Sequence, residues 1–260
     1  MTPSSTTRRL AHFLWHGQVE VGIVEGDHII ALDDDPAEDG PKSIIGALSN
    51  VRLLPPCTPQ NIVAIGRNYR DHAIEMNAEL PPEPLIFLKP LTSIIASGEA
   101  IVYPSWVSQQ VEYEGELAVI IGRTCHRVRE EDALLYVQGY TCANDVTARD
   151  LQRRDVQWTR GKGFDTFCPL GPVIAEGIDA SDLALTTRVN GEVRQQGRTS
   201  DLLFGIPRLI SHISATMTLR PGDVILTGSP AGVGPLKPGD VVDVEIEGIG
   251  TLRNPVVAGE

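Results

Sequence analysis

The sequence lacks the features that mark several classes of protein. Its longest uninterrupted apolar runs are about half a dozen residues, far short of the roughly 20 that a transmembrane helix needs. The start of the chain carries no apolar segment of the kind found in secretion signals. The four cysteines are widely spaced and include no Cys-x-x-Cys pair, which argues against a disulfide framework and a cysteine zinc site. A cytoplasmic location without a membrane partner is therefore predicted.

Positive charge and aromatic side chains are also scarce. The chain has 22 Lys and Arg against 34 Asp and Glu, for a net charge of −12, whereas a nucleic-acid partner requires a positive surface. Aromatic residues make up 5 % of the chain, so a glycosidase with paired carboxylates would have few platforms on which a sugar could stack. An anionic substrate would need local cations to overcome the negative field of the protein.

The residues that are plentiful predict a fold that is mainly β with a few helices, of the α+β class. The 25 glycines and 19 prolines alternate with short Val/Ile runs, as in sheets joined by tight turns. Residues 10–32 alternate between apolar and polar, which predicts three short strands joined as hairpins. Residues 33–42 are predicted to form an acidic loop, and residues 44–54 a short helix.

Proline content divides the chain. Three prolines within residues 55–59 predict a linker, because proline fixes its own φ and removes an amide donor. The 260 residues suffice for one large core with a small appendage. We therefore predict a β-rich accessory domain at 1–57 and a main domain at 58–260. Near the C-terminus, Asn190-Gly191 predicts a tight hairpin turn, and apolar residues near helical spacing predict a helix over 200–216.

Three glutamates alternate at the start of an apolar run. Glu112, Glu114 and Glu116 lead into Leu117–Ile121, and alternate residues of a strand project from one face. Three like charges on one face repel one another unless a cation lies between them. Two of these carboxylates, with a third such as Asp145 from another strand, form an oxygen donor set suited to Mg²⁺ or Mn²⁺. The alternative is a solvated acidic edge of a sheet.

A histidine and a glutamate lie three residues apart in a predicted short helix. His72 and Glu75 therefore share one helical face, where their side chains can form a hydrogen bond. A glutamate that fixes the tautomer of a histidine yields a general base near neutral pH. Prolines 81, 82 and 84 follow closely, and so short a segment suits a lid over a pocket. The alternative is an incidental pair on a surface helix.

Other polar residues gain meaning beside these acids. Lys162 lies between two glycines, where the backbone can approach a ligand closely and the ammonium can be a fixed cation. The alternative is a solvated lysine. Arg149 and Gln152 lie on a predicted helical turn that follows Asp145. The glycine-rich loop at 227–234 is not a Walker loop, but its amides and the Thr227 hydroxyl are suited to holding a carboxylate.

Six motifs in order carry a family resemblance over about residues 60–257. They are Gly66-Arg67-Asn68-Tyr69 with His72 and Glu75, Phe87-Leu88-Lys89-Pro90, Tyr113-Glu114-Gly115-Glu116-Leu117, the run from Asn144 to Gln152, Gly161-Lys162-Gly163-Phe164-Asp165, and Thr227-Gly228-Ser229-Pro230. Together they resemble the short, bacterial-type form of the fumarylacetoacetate hydrolase (FAH) family. The resemblance implies a mixed β-roll of packed sheets with a small N-terminal domain, and a homodimer.

The resemblance also implies roles for individual residues. It implies Glu114, Glu116 and Asp145 as ligands of Mg²⁺ or Mn²⁺, with Glu112 as a neighbour. It implies Lys162 as the cation beside the substrate and His72–Glu75 as an acid/base dyad on the lid. The remaining polar groups that it places in the pocket, as substrate-binding residues, are Arg149, Gln152, Lys89 and Thr227.

The implied reaction is cleavage of a C–C bond in a small, anionic 2-oxo acid such as an acylpyruvate or oxaloacetate. Hydrolysis and decarboxylation both pass through an enolate that a divalent metal stabilises. An alternative is an isomerase/decarboxylase of hydroxymuconate-type intermediates of aromatic catabolism, such as 2-hydroxyhepta-2,4-diene-1,7-dioate, because residues 189–199 also resemble those enzymes. An alternative of another class is a non-catalytic β-rich binding module.

Overall fold

A computed structural model describes residues 7–32 and 44–259. In chain order the strands are Arg8–Trp15 (β1), Gln18–Glu25 (β2), His28–Ala31 (β3), Ile44–Ala47 (β4), Arg52–Leu53 (β5), Ile62–Gly66 (β6), Leu85–Lys89 (β7), Ile94–Ile95 (β8), Ile101–Tyr103 (β9), Val111–Tyr113 (β10), Gly115–Ile121 (β11), Val137–Asn144 (β12), Thr147–Ala148 (β13), Cys168–Glu176 (β14), Ala184–Val189 (β15), Glu192–Arg198 (β16), Val224–Leu226 (β17), Gly234–Pro235 (β18), Val241–Ile246 (β19) and Gly250–Ala258 (β20). The α-helices are Arg70–Glu75 (α1), Arg149–Asp155 (α2), Thr159–Lys162 (α3) and Ile206–Thr216 (α4). Short 3-10 helices span Leu48–Asn50, Leu91–Ser93, Glu130–Tyr136 and Thr199–Asp201. The prediction of a mainly β fold with few helices is confirmed.

The strands form three sheets. The largest has the order β4-β3-β2-β1-β14-β12-β11-β17-β6-β7, with β5 paired to β1 and β8 to β14. A second sheet has the order β16-β15-β19-β20-β9, and a third, small sheet has the order β13-β10-β18. Neighbours in the main path pair antiparallel except β17 and β6, which run parallel. The two predicted hairpin regions are confirmed, with Asn190 and Gly191 both at positive φ in the tight turn between β15 and β16.

The N-terminal strands extend the main sheet. β1 pairs antiparallel with β14, in the register Leu10↔Ile174, so the strands on both sides of the proposed division at residue 57 share one sheet. The predicted helix at 44–54 is wrong. That segment instead forms β4, which pairs with β3, and β5, which pairs with β1, with the 3-10 helix Leu48–Asn50 between them. The strands form because exposed strand edges are available there to bond the backbone. The predicted acidic loop at 33–42 lies outside the described residues.

The acidic segment is not one continuous strand. β10 ends at Tyr113 and β11 begins at Gly115, so Glu114 lies at a break between two sheets. β10 pairs with β13 and β18, whereas β11 pairs with β12 and β17. On the two sides of the break, Glu112 accepts from Arg149 and Glu116 accepts from the Gly228 amide, whereas one straight strand would align the two side chains on one face.

The strand after the break is buried on both faces. Leu117, Val119 and Ile121 belong to the larger hydrophobic cluster, and Ala118 and Ile120 belong to a second cluster on the other face. Burying a side chain of this size stabilises the fold by roughly 1.5–3 kcal/mol. Packing on both faces therefore fixes the position of the acidic residues at the beginning of β11.

The predicted helix at 200–216 begins later than expected. α4 starts at Ile206 after Gly205, with proline in its first turn, a favourable helix start. Leu202 and Leu203 precede the helix because their backbone is used elsewhere: Leu202 forms a β-bridge with Tyr69, and the Leu203 amide donates to the Asn68 carbonyl. None of the helices in the described part of the chain is long and apolar enough to cross a membrane.

Candidate active site

A cavity of about 330 Å³ collects most of the predicted site residues. It lies where β6, β7 and the β10–β11 break meet α1, α2 and α3. The predicted site residues in its lining are His72, Glu114, Glu116, Asp145, Arg149, Gln152 and Lys162. Residues far apart in the chain therefore meet in one polar cavity.

Three buried carboxylates lie together in this cavity. Glu114, Glu116 and Asp145 each present one oxygen, and these oxygens lie within 4.8 Å of one another. Exposure of the three residues is 5 %, 1 % and 1 %, so water screens their mutual repulsion very little. Asp145 directly follows β12, and its backbone amide donates to the Glu114 carbonyl at 2.8 Å. The backbone therefore fixes this cluster.

Lysines compensate part of this negative charge. Lys162 Nζ, at the end of α3, donates to Glu114 Oε2 at 2.7 Å and to Asp145 Oδ2 at 2.5 Å. Lys89 Nζ, at the end of β7, donates to Asp145 Oδ1 at 2.6 Å and also to the Lys162 carbonyl. Because charge-assisted hydrogen bonds of this kind are strong, both ammonium groups are fixed in place.

Arg149 joins the carboxylates to the start of α2. Its Nε donates to Glu112 Oε2 at 2.7 Å, its Nη2 to Glu114 Oε1 at 2.5 Å, and its Nη1 to Gln152 Oε1 at 2.7 Å. Glu112 accepts a further bond from Gln110 at 2.7 Å. Glu112 is thus an ion-pair partner of Arg149 and lies outside the group of three, as expected for a neighbour.

The pKa values differ sharply between the two glutamates. Burial alone would raise the pKa of Glu114, but the nearby Lys162 ammonium and Arg149 guanidinium hold it well below its usual range. The pKa of Glu116 is raised well above its usual range by burial and by repulsion from Asp145 and Glu114. Burial opposes the charge of Lys162, but Asp145 and Glu114 outweigh it and raise the pKa of the ammonium.

The donor set fits a divalent metal ion. Glu116 accepts one hydrogen bond, from the Gly228 amide at 2.7 Å, and among the described residues it has no ion-pair partner. Four buried carboxylates in the site, with Glu112 included, are matched by three buried cations. Glu116 is the carboxylate of the site whose ionised form no buried cation of the described residues compensates, in agreement with its raised pKa. Clustered carboxylate oxygens are the ligands that Mg²⁺ and Mn²⁺ prefer.

The histidine and glutamate of α1 form the predicted hydrogen bond. His72 Nδ1 lies 3.2 Å from Glu75 Oε2, with His72 buried and Glu75 about one-third exposed. The Gly232 amide donates to Glu75 at 3.1 and 3.2 Å, and the Gly232 carbonyl accepts from the Tyr113 hydroxyl at 2.9 Å. Contacts to the glycine-rich loop therefore hold Glu75, which in turn orients the imidazole of His72.

The glycine-rich loop binds carboxylates of the protein itself, through Gly228 to Glu116 and through Gly232 to Glu75. The Thr227 hydroxyl donates to the Leu117 carbonyl at 2.9 Å and is fully buried. The resemblance implies that Thr227 and Lys89 bind substrate, but neither lines the cavity. Thr227 is bonded to the backbone of β11, and Lys89 is bonded to Asp145 and to the Lys162 carbonyl, so both hold residues of the site in place.

Several cavity residues received no role from the sequence. They are Ile65, Gly66, Arg67, Met76, Phe87, Arg153, Val156, Trp158 and Ser229. Trp158 forms an aromatic wall with Phe87, with ring centroids 5.2 Å apart, and a Cβ on Gly66 would overlap its ring. Arg67 and Ser229 lie within the six family motifs, whereas no local pattern in the sequence indicates that Trp158 or Arg153 faces this cavity.

Known proteins share this arrangement of the chain. The profile of the family described as "Fumarylacetoacetate (FAA) hydrolase C-terminal" matches residues 61–257. Oxaloacetate tautomerase YisK of Bacillus subtilis (strain 168) is 44 % identical over 254 residues, which cover 90 % of this chain and 84 % of that protein. The crystal structure of 5-carboxymethyl-2-hydroxymuconate delta-isomerase from Mycobacterium smegmatis matches with a TM-score of 0.86 and 46 % identity over 96 % of this chain and 100 % of that chain. The structure of 2-hydroxyhepta-2,4-diene-1,7-dioate isomerase from Mycobacterium marinum matches with a TM-score of 0.86 and 43 % identity over 96 % and 98 %.

These similarities confirm the predicted fold and the prediction of an enzyme, because the matched relatives are enzymes of one fold. They do not support the alternative of a non-catalytic binding module. The family profile covers the carboxylate cluster, the dyad of α1 and the glycine-rich loop. The chain belongs to the fumarylacetoacetate hydrolase family.

Proposed function

We propose that this protein is a Mg²⁺- or Mn²⁺-dependent enzyme that forms the enolate of a small 2-oxo acid such as oxaloacetate. One observation carries the proposal: three buried carboxylates lie in the same cavity as a histidine oriented by a glutamate. The named relatives include an oxaloacetate tautomerase and isomerases of hydroxymuconate-type acids. Tautomerisation, in which a proton leaves carbon and another is added to oxygen, uses both parts of the site.

Glu114, Glu116 and Asp145 would hold the metal ion. When bound, a divalent ion acts as a Lewis acid that polarises the oxygens of a 2-oxo acid and lowers the cost of forming an enolate. Because Glu116 has no cationic partner among the described residues, its charge is the one that the ion would compensate most directly.

His72 is proposed to move the proton. Its Nδ1 is bonded to Glu75, which leaves Nε2 to take a proton from the carbon next to the 2-oxo group in enol formation and to return it to that carbon in the reverse reaction. The proton added to the enolate oxygen would come from solvent. Lys162 stays protonated, because its pKa is raised by Asp145 and Glu114 despite its burial. It therefore contributes fixed positive charge near the developing enolate and does not act as a base.

Cleavage of a C–C bond is a second reaction that the same site can support. When a 2-oxo acid with a carboxylate at carbon 4 loses CO₂, the electrons of the broken C3–C4 bond form an enolate across carbons 2 and 3 of the shortened acid, and no nucleophile is required. Hydrolysis of an acylpyruvate requires in addition that His72 deprotonate a water molecule. Because the matching family is described as a hydrolase, we keep hydrolysis beside decarboxylation among the proposed reactions. The longer hydroxymuconate-type diacids of aromatic catabolism stay an alternative substrate class, favoured by the names of the two isomerases.

We also propose a homodimer in a reducing, cytoplasmic compartment. The proposed division between accessory and main domains at residue 57 then separates two parts of the chain that share the main sheet through the pairing of β1 with β14. All four cysteines are free and buried, which suits a reducing compartment. The exposed side chains of Leu134 and Leu135, neighbours in one 3-10 helix, offer apolar surface for a second copy.

A substrate panel tests the proposal. We expect the purified protein with Mg²⁺ to accelerate enol–keto exchange of oxaloacetate, followed by ultraviolet absorbance, and EDTA to abolish the acceleration. Release of CO₂ and cleavage of acetylpyruvate, measured in parallel, show whether the enzyme also catalyses decarboxylation or hydrolysis. Absence of turnover on oxaloacetate, acetylpyruvate and 2-hydroxyhepta-2,4-diene-1,7-dioate, with either Mg²⁺ or Mn²⁺ present, would overturn the proposed function.

A further inference from the structure

The cavity wall contains more cations than its carboxylates bind. The basic residues in the lining, apart from His72, are Arg67, Arg149, Arg153 and Lys162. Arg149 and Lys162 are bonded to the buried carboxylates described above. Within residues 7–32 and 44–259, no hydrogen bond or ion pair engages the guanidinium of Arg67 or Arg153. In a protein of net charge −12, two uncommitted arginines at one cavity call for an anionic ligand group.

The two arginines approach the cavity from different elements. Arg67 follows β6 and is half-buried, with its guanidinium 5.8 Å from the centroid of the Trp158 ring, so the aromatic wall supports it through a cation–π contact. Arg153 lies on α2 four residues after Arg149, which places both on one helical face about one turn apart. Arg149 reaches the carboxylate cluster, and Arg153 is exposed at the rim.

The backbone around Arg67 is held in an unfavourable conformation. Arg67 has φ of 56°, the left-handed region that residues with a Cβ avoid at a cost of roughly 1–2 kcal/mol. Its neighbour Asn68 is fully buried and fixed by side-chain bonds to Phe204 and to the Thr227 carbonyl. Surrounding structure thus maintains the strain, as is common where a side chain must be aimed at a ligand.

We propose that Arg67 and Arg153 bind the second carboxylate of the substrate and so select 2-oxo dicarboxylic acids over monocarboxylic acids. The inference rests on the proposed function, because the carboxylate cluster must receive the 2-oxo end of the molecule. The distal carboxylate of a short diacid then lies toward the rim, about one helical turn from the cluster. Guanidinium groups suit this role because their planar donors match a carboxylate.

Calorimetric titration of the Mg²⁺-loaded protein tests the inference without turnover. Malate and lactate share a 2-hydroxy acid end and differ in the distal carboxylate. We expect wild type to bind malate at least tenfold more tightly than lactate, and the double variant Arg67→Gln/Arg153→Gln to bind the two within about twofold. Removing one charge-assisted contact commonly costs about tenfold in affinity. Arg154→Gln removes one charge from the same helix outside the cavity lining; it is the matched control for the single variant Arg153→Gln and should retain the preference.

The variants are expected to fold, because neither guanidinium has a described polar partner that the change would leave unpaired. The single variant Arg153→Gln changes a residue that is exposed at the rim, and we expect its preference for malate to be intermediate.

Equal affinities of wild type for malate and lactate, or a preference that survives in the double variant, would overturn the inference. Turnover of oxaloacetate and its distal methyl ester separates the two proposals. If wild type converts both equally well, the function stands and the arginine inference falls. If it converts neither while the arginine-dependent malate preference holds, the binding site stands and the proposed function falls.

Discussion

Replacement of Glu116 by glutamine should stabilise the metal-free protein while weakening its affinity for metal. The ligand oxygens of Glu114, Glu116 and Asp145 lie within 4.8 Å of one another. At an effective dielectric constant of 20, each repulsion at that distance amounts to about 3.5 kcal/mol. Attraction to Lys162 offsets part of this, and we expect Glu116→Gln to raise the metal-free free energy of unfolding by about 1–3 kcal/mol. The new amide oxygen still accepts from Gly228.

The stability that metal-free Glu116→Gln gains over wild type should increase with pH. Because burial and the neighbouring carboxylates raise the pKa of Glu116 in the native state, native protein binds this proton more tightly than unfolded protein. Wild type therefore loses stability as pH rises from the usual glutamate range through the raised native pKa. Glutamine does not titrate, so the advantage of the variant should be larger at pH 8 than at pH 5.

Thermal unfolding in EDTA and calorimetric titration with Mg²⁺ measure the two effects. A gain of 1 kcal/mol corresponds to about 2–4 °C for a chain near this length, and loss of one carboxylate ligand should weaken Mg²⁺ binding at least tenfold. Added Mg²⁺ should therefore stabilise wild type more than the variant. A lower midpoint for metal-free Glu116→Gln, or unchanged Mg²⁺ affinity, would refute the reasoning.

Glu112→Gln is the matched control. It makes the same chemical change four residues earlier, at a carboxylate that pairs with Arg149 at 2.7 Å and lies outside the group of three. The change removes one of the two carboxylate charges that compensate the buried guanidinium of Arg149, so it should destabilise the protein by about 1–3 kcal/mol. Its Mg²⁺ affinity should stay within a few-fold of wild type. The two glutamine variants are thus expected to change stability in opposite directions.

Three further predictions concern the dyad, the glycine-rich loop and the thiols. His72→Ala should lower the rate of oxaloacetate tautomerisation by about 10²–10⁴-fold while leaving Mg²⁺ affinity intact. An equal loss of decarboxylation would remove the reason to give His72 a role in tautomerisation alone. Gly232→Ala should lower the melting temperature and kcat together, because Gly232 has φ of 98° and a Cβ there would overlap the Arg194 carbonyl oxygen; wild-type values for both would contradict the proposed contact to Glu75. Native protein should react with a thiol reagent only as fast as it unfolds. Burial raises the pKa of Cys57, Cys142 and Cys168 to about 12, so these thiols stay protonated and unreactive. Rapid reaction of folded protein would show that the thiols are accessible.

Local patterns in the sequence predicted the parts of the site whose geometry is set by neighbours in the chain. The spacing of His72 and Glu75 on one turn of α1 produced the expected hydrogen bond. Asn190-Gly191 produced the expected hairpin. The prediction of a helix at 44–54 was wrong because strand pairing with β3 and β1 overrides the local preference of that segment for a helix.

The sequence by itself determined the mainly β class, the six motifs and the residue types able to hold a metal ion. Only the tertiary structure decided how charge is distributed among them. Arg149, Lys89 and Lys162 compensate every carboxylate in the site except Glu116. The tertiary structure also placed Arg67 and Arg153, which come from separate segments, at one cavity. The physical reason is that spacing along the chain fixes contacts within one turn or strand, whereas compensation of buried charge depends on which distant segments the packed sheets bring together.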